Sequence, residues 1–168
     1  MSTLNLSDDE NAERAQQNKE YEIAYQTVAQ AKSGASWFYW IAGLSLINSI
    51  IFLSGGNWGF FAGLGITQVI DAIVLEINKS AESSAMGIIA FVLDVIIAGI
   101  FILCGIWANK FQPWAFIVGM ILYFLDGVLI LILGAFLPAA FHAFALFMIA
   151  RGFFAARQIS AAQNAPVS

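Results

Sequence analysis

The segment "AFIVGMILYFLDGVLILILG", residues 115–134, decides the fold, because it contains a single charged side chain. A helix rises about 1.5 Å per residue, so this segment is long enough to cross the roughly 30 Å hydrocarbon core of a bilayer. The chain as a whole has the same character, with 60% of its 168 residues hydrophobic and 11% charged. Soluble domains are about 45–50% apolar and about 25% charged. The composition therefore predicts an integral membrane protein.

Four apolar runs are long enough to span the bilayer, at about residues 36–53, 86–108, 114–136 and 137–156. They predict an all-α fold, an integral membrane helical bundle with four transmembrane helices. A fifth segment, at about 60–80, is also long, but Thr67, Gln68 and Asp71 fall on one arc of a helix whose opposite arc is mostly apolar. This pattern indicates an amphipathic helix in the first outer loop, and the alternative is a fifth span.

Positive charge distinguishes four spans from five, because Lys and Arg collect on the cytoplasmic side of a membrane. With four spans and a cytoplasmic amino terminus, only Lys79 of the 7 basic residues lies outside, whereas five spans divide them almost evenly. We therefore expect a multi-pass protein of the inner (plasma) membrane with both termini cytoplasmic. Residues 1–34 then form a polar cytoplasmic N-terminal helix, residues 35–156 the transmembrane domain, and residues 157–168 a disordered C-terminal tail.

Each predicted span carries one hydrogen-bonding side chain near the same depth: Asn48, Asp94, Asp126 and His142. The two aspartates share helix faces with small residues, which line helix contacts in membranes, so we expect both to point into protein. Asp126 is expected to contact Asp94 or His142. Such a polar layer has three interpretations, as hydrogen-bonding glue between helices, as a site that handles protons or ions, or as a site that holds a bound cofactor or a lipid headgroup.

Other site chemistry is missing from the sequence. His142 is the only histidine and Cys104 the only cysteine, so a multi-histidine metal site and an intrachain disulfide are excluded. Phosphate-binding loops and hydrolase or metalloprotease motifs do not occur. We expect no metal, no cofactor and no enzymatic activity. A basic patch that would indicate nucleic acid is also missing.

Four stretches carry a resemblance to a known group of proteins: "GASWFYWIAGLSLINS" at 34–49, "TQVIDAI" at 67–73, "YFLDGVL" at 123–129 and "FHAFALFMIARGF" at 141–153. The chain resembles a group of small bacterial integral membrane proteins across most of residues 33–155. The resemblance implies a bacterial inner-membrane protein with about four helices. It implies no particular activity and assigns no functional residue.

Two functions of different classes are compatible with these patterns. The first is a non-enzymatic accessory or scaffold subunit, which the small size and the polar N-terminal helix favour. The second is an oligomeric proton-linked transporter or channel for a small solute or ion, which would use the intramembrane Asp, His and Asn layer. In both cases the expected partners are the lipid bilayer and either further copies of the chain or a larger membrane complex.

Overall fold

The computed structural model describes residues 3–54, 64–70, 73–74 and 85–165, and within these ranges it contains helices and turns but no strand. Four long helices follow one another: α1 (Thr3–Leu53), α2 (Ala85–Asn109), α3 (Pro113–Ile132) and α4 (Phe136–Gln163). All four are long and apolar enough to cross a membrane. The predicted all-α architecture with four potential transmembrane helices is therefore confirmed for the described part of the chain.

Helix α1 contains both the predicted polar N-terminal helix and the first predicted span, which the sequence predicts as separate elements. The polar segment before residue 34 and the first apolar run form one helix of 51 residues, which rises about 75 Å. Glycine 34, at the predicted boundary, does not interrupt the helix. Because the hydrocarbon core of a bilayer is only roughly 30 Å thick, a large part of α1 extends beyond it.

Short turns connect the last three helices. Asn109 and Pro113 are separated by three residues, and Phe111 in this turn has a φ of 57°, in the left-handed region. Pro113 occupies the first turn of α3, where a missing N–H costs nothing. Gly134 has a φ of 79° in the turn between α3 and α4, which suits a residue without a side chain. Connections this short make neighbouring helices antiparallel.

The helices form a ring in which α1 packs against α2 and α4, and α3 packs against α4 and α2. Each helix buries one stripe with a spacing of three and four residues, such as Ala115, Gly119, Tyr123, Asp126 and Ile130 on α3. The opposite faces of α2 and α3 expose large aliphatic side chains, among them Ile96, Leu103, Ile121 and Leu125. An outer surface of this kind is suited to lipid, which is as apolar as leucine.

Helix α1 approaches α4 closely where the two helices cross at Gly34 and Gly152. A Cβ atom added to Gly34 would lie 2.5 Å from the Cα of Gly152, so the two backbones are in direct contact. Beside this crossing the Gln30 side-chain amide donates to the Arg151 carbonyl oxygen (3.0 Å). Small residues at membrane helix contacts permit this approach.

The end of the chain differs from the sequence prediction. A disordered tail was expected from residue 157, but α4 continues to Gln163. Alanine, glutamine and arginine dominate this stretch and are good helix formers. Ile159, which is partly buried, packs against the hydrophobic core and gives the extension a tertiary contact. The predicted tail therefore begins at least seven residues too early.

The predicted amphipathic helix at about 60–80 falls largely outside the described residues. Residues 65–70 and 73–74 are helical and Leu64 precedes them, whereas residues 60–63, 71–72 and 75–80, which include Asp71, lie outside the described residues. Leu64 and Thr67 are fully buried, so this part of the loop does not rest on the surface of the bundle. Residues 64–67 are named the inserted segment below.

Candidate functional site

The four side chains of the predicted polar layer are all buried. Asp94 is fully inaccessible, and Asn48, Asp126 and His142 expose 6%, 6% and 2% of their surface. They come from four different helices, and the small-residue faces predicted for α2 and α3 do point into the bundle. The structure therefore places these residues inside protein and away from lipid, where polar groups in a membrane are expected to be.

Asp126 has three hydrogen-bond partners, two of which belong to the inserted segment. The Gly65 N–H donates to Asp126 Oδ2 and the Ile66 N–H donates to Asp126 Oδ1, each at 2.7 Å. His142 Nε2 lies 2.8 Å from Asp126 Oδ2. Because residues 65–70 are helical, the carboxyl group stands at the N-terminus of a helical segment, where free N–H groups and the helix dipole favour an acidic partner. Asp126 thus connects α3 to α4 and to the inserted segment.

The hydrogen bond of the second ring nitrogen of His142 determines how many protons the Asp126–His142 pair carries. His142 Nδ1 lies 2.8 Å from the Pro138 carbonyl oxygen, which only accepts, so Nδ1 carries a hydrogen. A second proton must lie between Nε2 and Asp126 Oδ2, since two lone pairs would otherwise face each other at 2.8 Å. Whether that proton belongs to an imidazolium or to a carboxyl group, the pair as a whole is neutral. Neutrality removes most of the cost of placing these groups inside a membrane.

Tyr123 covers the pair from the side. Its ring stacks on the His142 imidazole with centroids 4.3 Å apart and planes 17° apart. The side chain is fully buried, and its hydroxyl has no hydrogen-bond partner among the described residues. Phe101 of α2 packs edge-on against the other side of the Tyr123 ring. The aromatic side chains therefore hold the imidazole in one orientation and keep water away from it.

We predict that Tyr123→Phe leaves the protein as stable as the original or stabilises it by about 1 kcal/mol. The change keeps the ring stacked on His142 and removes a buried hydroxyl whose desolvation costs about 1–3 kcal/mol when it makes no hydrogen bond. The free energy of unfolding in mixed detergent micelles measures the effect. A loss of more than about 1 kcal/mol would show that the hydroxyl has a partner that this account lacks.

The inserted segment is fixed to α1 as well as to α3. The Thr67 hydroxyl donates to the Leu64 carbonyl oxygen (2.8 Å), and it therefore accepts a hydrogen bond from Ser45 on α1 (3.0 Å). Gly65 packs so closely on the Ile130 side chain that a Cβ atom would overlap it. The sequence placed Thr67 and Gln68 together on the polar face of an amphipathic helix. Gln68 is exposed, whereas Thr67 is buried, and the amphipathic helix as a whole stays a prediction.

A second polar contact joins α1 to α2. The Ser49 hydroxyl donates to Asp94 Oδ2 at 2.6 Å, within the usual range for a hydroxyl donor. Ser49 also lies 3.2 Å from the Ser45 carbonyl oxygen, one turn earlier. Asp94 therefore contacts α1. Asp126 contacts α4 through His142, which is one of the two partners that the sequence predicted for Asp126.

Metal-binding groups are not assembled by this arrangement. Among the described residues, no three His, Cys, Asp or Glu side chains are placed to hold a metal ion. Cys104 is a buried thiol in the apolar core. The expectation that the protein has no cofactor stays a prediction.

Comparisons with known proteins give the chain no relatives. It matches no protein-family model, no curated protein and no solved structure. The resemblance to small bacterial membrane proteins therefore stays a prediction, and the function has to be argued from the geometry.

Sequence reasoning missed Ser45, Ser49 and Tyr123, and it missed the backbone of residues 65 and 66. Ser45 and Ser49 are one helical turn apart inside an apolar run, a spacing that places both hydroxyls on one face. That signal was present in the sequence. The backbone N–H groups had no signal, because every residue except proline carries one.

Proposed function

We propose that the protein is a non-enzymatic accessory or scaffold subunit of a membrane complex, in which the bundle holds out the N-terminal part of α1 for a partner. One observation carries this proposal. All side chains from residue 9 to residue 26 are exposed, although the same helix is buried in the bundle from Ala31 onward. We name residues 9–26 the arm. A helix rooted in a packed bundle needs no nucleation of its own, so the arm is a rigid extension about 27 Å long.

The arm displays aromatic side chains that the bundle does not use. Tyr21 and Tyr25 are 73% and 66% exposed and lie one turn apart on the same face. Exposed tyrosines of this kind are enriched where proteins bind each other, because they offer a large rigid surface and a hydroxyl group. Most charges of the arm are acidic, so anionic headgroups would repel it. A protein partner, either a second copy of the chain or another membrane subunit, is therefore favoured over the membrane surface.

The geometry of the polar layer agrees with a structural role. The hydrogen bonds of Asp126 go to the backbone of the inserted segment and to His142, and Ser45, Ser49 and Thr67 join neighbouring elements. Each of these contacts holds two parts of the fold together. Polar side chains of this kind act as glue between membrane helices.

The proposed location is the inner membrane of a bacterium, with both termini in the cytoplasm. Four crossings return the chain to the side on which it began, and nearly all basic residues then lie on the cytoplasmic side. A reporter fused after Ser168 is expected to give a cytoplasmic signal. A signal from the outer side would require an odd number of crossings and would overturn this orientation.

A photo-crosslinking amino acid at position 21 tests the docking role of the arm. In native membranes we expect an adduct between position 21 and another polypeptide. Position 23 is the matched control, because Ile23 is also exposed but lies on the opposite face of the helix. An absence of protein adducts at position 21, or equal adducts at both positions, would contradict the proposal.

A proton-linked transporter is the second candidate, and the neutral Asp126–His142 pair is the observation in its favour. The two side chains share one proton between His142 Nε2 and Asp126 Oδ2. An oligomer would be needed to build a pathway around it. Reconstituted vesicles with an internal pH-sensitive dye are expected to show pH-driven flux that His142→Phe abolishes. Vesicles without such flux would remove this candidate.

A further inference from the structure

A cavity of about 340 Å³ opens between α2, α3 and the inserted segment. Its volume lies in the range of small-molecule sites, which is about 300–1,000 Å³. The described residues around it are aliphatic or aromatic with one exception, Asp126. Contributions come from Ile97 and Phe101 on α2, from Leu122 and Leu125 on α3, and from Ile66 of the inserted segment. The site is therefore an apolar cleft, partly open at the surface of the bundle, with one carboxyl group in its wall.

Asp126 retains one acceptor position after its three contacts are counted. A carboxyl group of this kind offers about two lone pairs on each oxygen. Oδ2 is occupied by the Gly65 N–H and by His142 Nε2, whereas Oδ1 accepts only the Ile66 N–H. The remaining lone pair on Oδ1 exists whether the shared proton lies on nitrogen or on Oδ2. The polar point of the cavity can thus accept one further hydrogen bond.

The position of Asp126 along α3 and the side chains that line the cavity restrict which ligands can bind there. Asp126 lies about 5 Å from the midpoint of α3, so a charged headgroup would have to leave the membrane surface to reach it. None of the described lining side chains is a hydrogen-bond donor. A ketone or an ether oxygen would find no partner there, whereas a hydroxyl group would.

We propose that this cavity binds a neutral, membrane-soluble molecule with an apolar body and a hydroxyl group that donates to Asp126 Oδ1. The apolar body lies between α2 and α3, against Ile97, Phe101 and Leu122. The site selects alcohols over the corresponding ethers and alkanes. This property is independent of the arm and of its partner.

The test uses the full-length protein in lipid nanodiscs and two photoreactive probes. One probe is a long-chain primary alcohol with a diazirine in its chain, and the other is its methyl ether. We expect the alcohol to label residues 97–101 and 122–129 about tenfold more than the ether, which corresponds to about 1.4 kcal/mol. Peptide mass spectrometry gives the labelled positions. Equal labelling by the two probes would overturn the proposal, because it would mean that any lipid chain fills the cavity.

Two tryptophan substitutions on α2 provide a matched pair. Ile97→Trp places a large side chain in the cavity and is expected to abolish the preferential labelling. Ile96→Trp changes the neighbouring residue, which is 56% exposed and does not line the cavity, and it should leave labelling unchanged. Preferential labelling that survives in Ile97→Trp would place the ligand elsewhere and contradict the assignment. The comparison of the two probes on the unmodified protein stands even if Ile97→Trp fails to fold.

Discussion

Replacing Asp126 by asparagine is expected to destabilise the protein by about 3–5 kcal/mol, the range found when one partner of a buried pair is removed. Both carboxyl oxygens accept a backbone N–H, from Gly65 and from Ile66. An asparagine has only one oxygen, so in either orientation its NH₂ group faces one of these N–H groups. One of the two bonds that attach the inserted segment to α3 is then replaced by a contact between two donors, which weakens the attachment. The free energy of unfolding in mixed micelles of mild detergent and dodecyl sulfate measures the loss.

Asp9→Asn is the control for this change, because it alters the same functional group on the exposed arm. Surface substitutions of this kind normally stay within about 0.5 kcal/mol of the original protein. If Asp126→Asn is also nearly neutral, the amide replaces the carboxyl group without penalty. In that case the bonds from Gly65 and Ile66 do not hold the inserted segment, and the central argument fails.

Replacing Gly34 by alanine is expected to cost about 1–3 kcal/mol, the usual range for overpacking. The new methyl group would lie 2.5 Å from the Cα and 3.0 Å from the backbone nitrogen of Gly152. Carbon atoms in contact are about 3.5–4.0 Å apart, so α1 and α4 must separate by an ångström or more. Backbone cannot rotate away as a flexible side chain can. Unfolding in the same micelles measures the effect.

Gly43→Ala is the matched control on the same helix. A Cβ atom at Gly43 meets no atom within 4 Å, and alanine is the better helix former. This variant should therefore be as stable as the original protein or slightly more stable. Similar losses in Gly34→Ala and Gly43→Ala would show that the crossing of α1 and α4 is looser than described.

Hydropathy is sufficient to predict the four helices, because a bilayer leaves few ways to satisfy backbone hydrogen bonds other than a helix. The apolar runs at 86–108 and 114–136 correspond to α2 and α3 within a few residues. Gly134 lies in the turn before α4, and Pro138 lies in the first turn of α4. Polarity was a poorer guide to the ends of α1 and α4, because both helices continue as polar segments outside the apolar region. Their length depends on helix propensity and on attachment to the bundle.

The contact between Asp126 and His142 was predictable from depth and face. Two side chains at similar depths on the inner faces of neighbouring helices have few other partners in a membrane. The attachment of residues 64–67 was not predictable, since it depends on two backbone N–H groups and on Thr67. Periodicity placed Thr67 on the polar arc of a helix with Gln68, but it cannot identify which polar side chain contacts Ser45 inside the bundle.

Hydrogen exchange at the amides of Gly65 and Ile66 tests whether Asp126 holds the inserted segment. We expect strong protection of both amides in the unmodified protein, because each donates to a buried carboxyl oxygen at 2.7 Å. In Asp126→Asn this protection should fall by orders of magnitude, while the Ala145 amide in the core of α4 stays protected. Rapid exchange of Gly65 and Ile66 in the unmodified protein, or unchanged protection in Asp126→Asn, would contradict the account.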